Sequence, residues 1–327
     1  MVTPFQQSAP LLAILSHTLT SIITLYGLLL GAFTALSWIF CHLSQKQASW
    51  LGSRIGDLSR RILKKKGLIV KDNYIKAFGC NIKTACFFER DVFRHFGVMG
   101  VEFLRFPIMD DLWMEKNVAV EGEEHYQEAI SSGKGAILLS AHAGNWELML
   151  KRIACFSEKR LMVLNRPIKN AAIHDFIESY RSRFGKTDSI LSGSAAQPIF
   201  RHLLRNGTVG VVLDQNAGLR DGIFVPFFGR MAATYSSIAR IAIRSGSPVL
   251  PIFNRRNPDG TYNVTVSPPV RPEKSECIED EILRLTTVFT QAIEGHIRSY
   301  PEQWIWMHRR WKTRPENEWG LKQNETA

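Results

Sequence analysis

From residue 118 onward, short apolar runs alternate with helix-like stretches, and this alternation constrains the fold more than any other feature of the chain. Candidate strands cover residues 118–121, 135–141, 160–165, 209–214, 248–253 and 262–266, and candidate helices cover 123–132, 146–155, 170–184, 195–205, 234–244 and 278–299. Strands separated by helices pair in parallel, because each crossover must return the chain to the same end of the sheet. The expectation is an α/β chain with a mixed central sheet flanked by helices. At 327 residues and 45% hydrophobic content, the chain can bury such a core with an N-terminal appendage to spare.

That appendage is unusual. Residues 1–45 contain no Asp, Glu, Lys or Arg, and 11–43 are almost entirely apolar. A secretory hydrophobic region of about 7–15 residues is shorter than this stretch, whereas a membrane span needs about 20. The expectation is an N-terminal transmembrane or membrane-embedded helix; a buried core hairpin broken at Gly27 or Gly31 is the soluble alternative. Lys46, Arg54, Arg60, Arg61, Lys64, Lys65, Lys66 and Lys71 follow, opposed only by Asp57. Positive charge on that flank places it on the cytoplasmic side and attracts anionic head groups. The net charge of +11 therefore points to membrane lipid as the anionic partner, with no nucleic acid. The expected division is an anchor over 1–45, a basic helical segment over 46–116, a catalytic α/β domain over 117–314 and a polar tail over 315–327.

Where the second strand runs into its helix the sequence reads Ala141-His142-Ala143-Gly144-Asn145-Trp146-Glu147. A histidine and a carboxylate brought together by a turn form a general base and its orienting partner. The spacing alone is weak, since nine histidines and 30 acidic residues in 327 produce about 0.8 such pairs by chance. A purely structural reading has His142 bonded to a helix end and Glu147 favoured by the helix dipole. Position adds weight: His142, Arg166 and Asp214 each follow a different candidate strand, and open α/β sheets gather ligands beyond their strands' carboxyl ends. Cys41, Cys80, Cys86, Cys155 and Cys277 show no metal-binding spacing, so neither a metal nor a cofactor is expected. The absence of a Gly-x-Ser-x-Gly elbow argues against a serine hydrolase.

Several segments together resemble the lipid A biosynthesis (lauroyl/myristoyl) acyltransferases of the wider glycerolipid and lysophospholipid acyltransferase superfamily. They are His142–Glu147, Asn165-Arg166-Pro167, Val212–Gln215, Pro226–Arg230, Pro248–Pro251 and the run Pro301-Glu302-Gln303-Trp304-Ile305-Trp306 through Lys312. The resemblance implies a membrane-anchored O-acyltransferase that moves a fatty acyl chain from an acyl-carrier-protein thioester, or acyl-CoA, to a hydroxyl of a lipid A precursor. Its implied place is the bacterial inner membrane, with the catalytic domain on the cytoplasmic side. His142 would be the general base and Glu147 its orienting partner; a thioester is already activated, so no covalent enzyme intermediate is needed. Backbone amides of the following helix would hold the oxyanion. The substrate-binding positions implied are Asn145, Arg166, Asp214, Gln215, Phe228, Gly229 and Arg309. Asp214 would pair with Arg166, hold a sugar hydroxyl or cap a strand end. Trp304, Trp306 and Trp311 would face the membrane interface or pack the C-terminus. Residues 232–237, Ala-Ala-Thr-Tyr-Ser-Ser, replace a glycine common in relatives, which points to an altered acceptor pocket. Two alternatives stand beside this reading: a lysophospholipid or other membrane-lipid acyltransferase, and a non-catalytic anionic-lipid-binding protein.

Overall fold

A computed structural model describes residues 26–157, 161–165, 170–182, 187–191 and 196–315. Its centre is a seven-stranded mixed sheet of β1 (Val118–Glu121), β2 (Ala136–Ser140), β3 (Leu161–Asn165), β4 (Thr187–Leu191), β5 (Thr208–Val212), β8 (Val249–Arg256) and β9 (Tyr262–Val266). The strand order is β1-β9-β8-β2-β5-β3-β4. Strands β8, β2, β5, β3 and β4 are mutually parallel, while β9 pairs antiparallel with β8 and parallel with β1. Every residue of β2 is buried, as its unbroken apolar run requires of a strand covered on both faces. A separate hairpin, β6 (Gly222–Phe227) and β7 (Arg230–Tyr235), carries the Pro226–Arg230 segment.

Between the strands lie α6 (Glu123–Ser131), α7 (Trp146–Phe156), α8 (Ala171–Ser182), α9 (Ala196–Leu204) and α10 (Ser237–Ser245), and the long α11 (Ile278–Ser299) follows β9. Six strands and six helices thus stand where alternation places them. Strand β4 escapes that reading because Thr187-Asp188-Ser189 is polar, which an edge strand tolerates. The hairpin escapes it because Pro226 and two alanines weaken its strand pattern. Thr234 and Tyr235 complete β7 rather than opening α10.

Ahead of the sheet come α1 (26–41), α2 (Gln45–Ile62), α3 (Lys64–Phe78), α4 (Ile82–Leu104) and the short α5 (Asp111–Asn117). Helices α2 and α4 approach backbone to backbone across Ala48, Gly52 and Gly56 on one side and Gly97 on the other. A Cβ on Gly52 would lie 2.5 Å from the Val98 Cα, and one on Gly56 would run into the Phe93 carbonyl. These helices share the sheet's core: Val70, Phe88, Val92 and Phe93 join Ile137, Leu139, Val209 and Trp306 in one buried cluster. Among the described residues no helix is long and apolar enough to cross a membrane. Residues 1–25 of the expected anchor, and 316–327 of the expected tail, lie outside the described residues.

Candidate active site

Register alone brings two of the expected residues together. In the parallel pairing of β2 with β5, Ser140 stands opposite Val212, and the Leu213 amide continues the ladder to the Ser140 carbonyl. His142 and Asp214, each two residues further on, therefore leave the sheet side by side. The His142 ring Nδ1 lies 2.8 Å from Asp214 Oδ1, and the His142 amide donates to Oδ2 at 2.9 Å. The Trp304 indole N–H donates to the same Oδ2 at 2.8 Å. Asp214 is only 1% exposed. Burial by itself would raise its carboxyl, but the His142 charge and the bonds from His142 and Trp304 outweigh it and hold the group down to about 2. An ionised carboxylate on Nδ1 fixes the tautomer in which Nε2 can accept a proton.

The turn that carries His142 is held from three sides. The C-terminal segment zips onto it: Gly144 donates to the Gln303 carbonyl at 2.9 Å, and Ile305 donates to the His142 carbonyl at 3.1 Å. Strand β8 contributes Asn254, whose side chain accepts from the Asn145 amide (3.0 Å) and donates to the Asn145 carbonyl (2.6 Å). Gly144 has φ +60°, and a Cβ there would collide with Asn254, so both conformation and space demand glycine. From α4, His95 Nε2 bonds the Gly144 carbonyl at 3.2 Å, and burial holds its imidazole down to about 4, leaving it a neutral donor. Also on α4, the buried Glu102 carboxylate accepts from Arg256 Nε (2.9 Å), Asn145 Nδ2 (3.2 Å), Gln45 Nε2 (3.3 Å) and the Tyr262 hydroxyl. Helices, sheet and turn are thus joined through one buried charge whose partners leave it satisfied.

The expected partnership of His142 with Glu147 is corrected. Glu147 lies in the first turn of α7, and its carboxylate turns towards α8, where Arg181 grips both oxygens at 2.9 and 2.5 Å. The Trp146 indole donates to Glu147 Oε1 at 3.2 Å and meets the His142 ring edge to face at 5.1 Å. Among the described contacts, Glu147 meets the imidazole through Trp146. Asp214 is instead the carboxylate bonded to the His142 ring. Arg166 lies outside the described residues.

The remaining expected positions fare differently. Asn145 is fully buried and caps α7, its Oδ1 accepting from the Leu148 amide at 3.2 Å, so its side chain faces the interior rather than a ligand. Gln215 is half-buried beside Asp214. Phe228 (φ +52°) and Gly229 (φ +70°) form the two-residue turn of the β6–β7 hairpin, the backbone pattern of a type I′ turn. The Phe228 ring is buried among Phe78, Phe227, Trp306 and Trp311, whereas Gly229 is exposed. Arg309 is exposed, while its neighbour Arg310 is buried, donating to the Ala233 carbonyl at 2.7 Å and Thr234 Oγ1 at 2.5 Å. Trp304, Trp306 and Trp311 are all buried, so they pack the C-terminus rather than face a membrane. Residues 232–234 sit inside β7, where Ala233 and Thr234 brace Arg310.

Around the start of α7, the amides of Gly144, Asn145 and Leu148 are already bonded; of the helix's own first-turn amides, those of Trp146 and Glu147 donate to no acceptor among the described residues. No group of three or more His, Cys, Asp or Glu side chains could hold a metal ion among the described residues. Sequence reasoning did not single out Asn254, Glu102, His95 or Arg181. Only the first three had any signal, as polar residues inside otherwise apolar stretches.

A family model for bacterial lipid A biosynthesis acyltransferases matches residues 17–313. The chain is 27% identical over 294 residues to a lipid A biosynthesis lauroyltransferase of Escherichia coli, covering 85% of this chain and 90% of that one. It is 25% identical over 291 residues to a palmitoleoyltransferase of the same organism (87% and 91%). It is also 23% identical over 221 residues to a phosphatidylinositol mannoside acyltransferase of Mycobacterium tuberculosis (64% and 66%). With the match running from the described helices through the His142 turn to the Trp304 strap that closes on Asp214, the chain belongs to the bacterial lipid A biosynthesis acyltransferase family and is an acyltransferase.

Proposed function

We propose that this acyltransferase moves a fatty acyl chain from an acyl-carrier-protein thioester to a hydroxyl of a lipid A precursor at the cytoplasmic face of the bacterial inner membrane. One observation carries the mechanism: the His142–Asp214–Trp304 array at the carboxyl ends of β2 and β5. Nε2 of His142, the nitrogen opposite the one bonded to Asp214, takes the proton from the acceptor hydroxyl as its oxygen attacks the thioester carbonyl carbon. Asp214 stabilises the imidazolium that forms. The tetrahedral oxyanion collapses, the carbon–sulfur bond breaks, and the thiolate leaves with the proton from His142. The Trp146 and Glu147 amides in the first turn of α7 are the proposed oxyanion donors. Arg166, Gln215, Gly229 and Arg309 are the proposed substrate contacts, with guanidinium groups suited to phosphate.

The similarity to lauroyl- and palmitoleoyltransferases over most of the chain supports the lipid A acceptor. The uncharged residues 1–45 and the basic stretch after them support an N-terminal membrane anchor with that flank in the cytoplasm. The test is acyl transfer by purified protein from a labelled acyl-carrier-protein thioester, offered a lipid A precursor and a lysophospholipid in parallel. Transfer to the glucosamine lipid, lost by about 10²–10⁴-fold in His142→Ala, is the expected result. Transfer to the lysophospholipid alone would keep the mechanism and discard the acceptor, and transfer to neither by folded protein would discard both.

A further inference from the structure

Helix α2 is built inside out. A helix on the surface of a soluble domain turns its large apolar side chains inward and its small and charged ones to water. Here the buried residues are Ala48, Gly52 and Gly56, pressed against α4, while Trp50 (61% exposed), Leu58 (57%) and Ile62 (69%) point away from the protein. Steps of four residues from Trp50 through Arg54 and Leu58 to Ile62 keep these side chains on one face, and Ile55 and Arg61 flank them. The outward face is therefore apolar with cations set into it. Arg54 lies over the Trp50 ring at 5.6 Å. Arg61, Lys64, Lys65 and Lys66 are exposed where α2 passes into α3, next to the exposed Leu63 and Leu68. The one acid of the stretch, Asp57, is held by Arg94 at 2.8 and 2.9 Å.

We propose that this face of α2, with the start of α3, lies in the head-group layer of an anionic lipid bilayer and sets the pose of the catalytic domain on it. The pattern of charge selects the occupant. Trp, Leu and Ile side chains gain by entering the acyl boundary, while Arg and Lys among them reach back to lipid phosphates. A second copy of the chain would bring like charges together. The apolar N-terminal residues, which carry no acidic group, would leave the cations uncompensated. The helix is held firmly enough to act as a platform, because its glycine seam fixes it to α4, which in turn holds the His142 turn through His95 and Glu102. Docking of α2 would therefore fix the height of the site above the membrane. The proposal rests on the reading of a membrane-borne acceptor, but lipid binding and turnover are measured separately, so each can fail alone.

The experiment uses the full chain with vesicles of phosphatidylethanolamine and phosphatidylglycerol, some carrying lipids brominated near the head group. Quenching of tryptophan emission is compared for wild type, Trp50→Phe and Trp38→Phe, Trp38 being exposed on α1 and marking the N-terminal segment. Trp50→Phe is expected to remove a distinct quenched component. Leu58→Ser/Ile62→Ser is expected to weaken vesicle partitioning about tenfold or more, and Arg61→Gln/Lys64→Gln to weaken it about fivefold per cation and to flatten its salt dependence. Circular dichroism checks that each variant is folded. Quenching confined to Trp38 would overturn the proposal, leaving membrane contact to the N-terminal segment alone. A Trp50 shielded from aqueous acrylamide without vesicles would also overturn it, assigning the face to residues 1–25, or to a second copy if Leu58→Ser/Ile62→Ser turns a dimer into a monomer.

Discussion

Two carboxylates flank the turn that carries His142, and they reach it by different routes. Glu147 is five residues from His142 in sequence, yet its oxygens bond Arg181 of α8 and the Trp146 indole. Asp214 is 72 residues away and receives both the His142 ring and its amide. The difference lies in how each region is built. A strand end is fixed by the ladder of its neighbour, so two side chains at equal distance beyond paired strands are forced together. A first helical turn sends its side chains wherever the helix axis points, and here that is towards α8. Register across a parallel sheet is the stronger organiser of this site than nearness along the chain.

The largest expected effect that tests this contrast is Asp214→Asn. An amide would still fill the space but would favour the wrong tautomer of His142, so kcat should fall about 10³–10⁴-fold with KM changing far less. The carboxyl is held at about 2 against an ordinary 3.8, so its contribution to stability is complete above pH 3.8 and disappears as pH falls through 2. Acid titration of wild type should show that loss and the Asn variant should lack it. A fall smaller than that of Glu147→Gln would reverse the assignment of the two carboxylates.

Trp304→Phe keeps an aromatic ring but trims the buried indole and removes one donor from a buried carboxylate. It should lower stability by about 2 kcal/mol in denaturant unfolding and reduce kcat several-fold. Smaller again, Glu147→Gln and Arg181→Gln should each slow turnover by about twofold to threefold. Because they break the same ion pair, the double variant should be hardly slower than either single one. Additive losses would mean that Glu147 acts on the reaction directly.

The smallest effect on turnover is expected from His95→Gln, which can still donate to the Gly144 carbonyl. Its signature is in stability. The folded imidazole sits at about 4 against 6.5 unfolded, so between those values the unfolded chain binds the extra proton and stability rises with pH. His296, stacked on Phe253 and likewise pushed down to about 4 by burial, adds a slope of the same sign. Each corresponds to about 3 kcal/mol across that window. His95→Gln should remove about half of the slope measured by denaturant unfolding from pH 6.5 to 4, and an unchanged slope would show that His95 is solvated and does not brace the turn.

Much of this molecule was legible in its residues. Apolar alternation placed six strands and six helices and put His142 and Asp214 at strand ends, because burial on both faces of a parallel sheet leaves an unmistakable composition. Strand β4 and the β6–β7 hairpin were not legible: an edge strand carries polar residues, and a hairpin stabilised by its packing on α11 needs no strong strand pattern of its own. The Pro301–Lys312 run was visible as a motif without its reason. Only in three dimensions do its Gln303 carbonyl and Ile305 amide zip onto the His142 turn and its Trp304 close over Asp214.

The sequence by itself determined the layered α/β class, the family and the basic, apolar character of the first helices, since these depend on composition and local pattern. The tertiary structure decided which carboxylate serves His142, that Asn145 and the tryptophans face inward, and that α2 wears its apolar face outside. Each of those is a matter of which surfaces meet, and neither periodicity nor spacing carries the register between strands or the closest approach between helices.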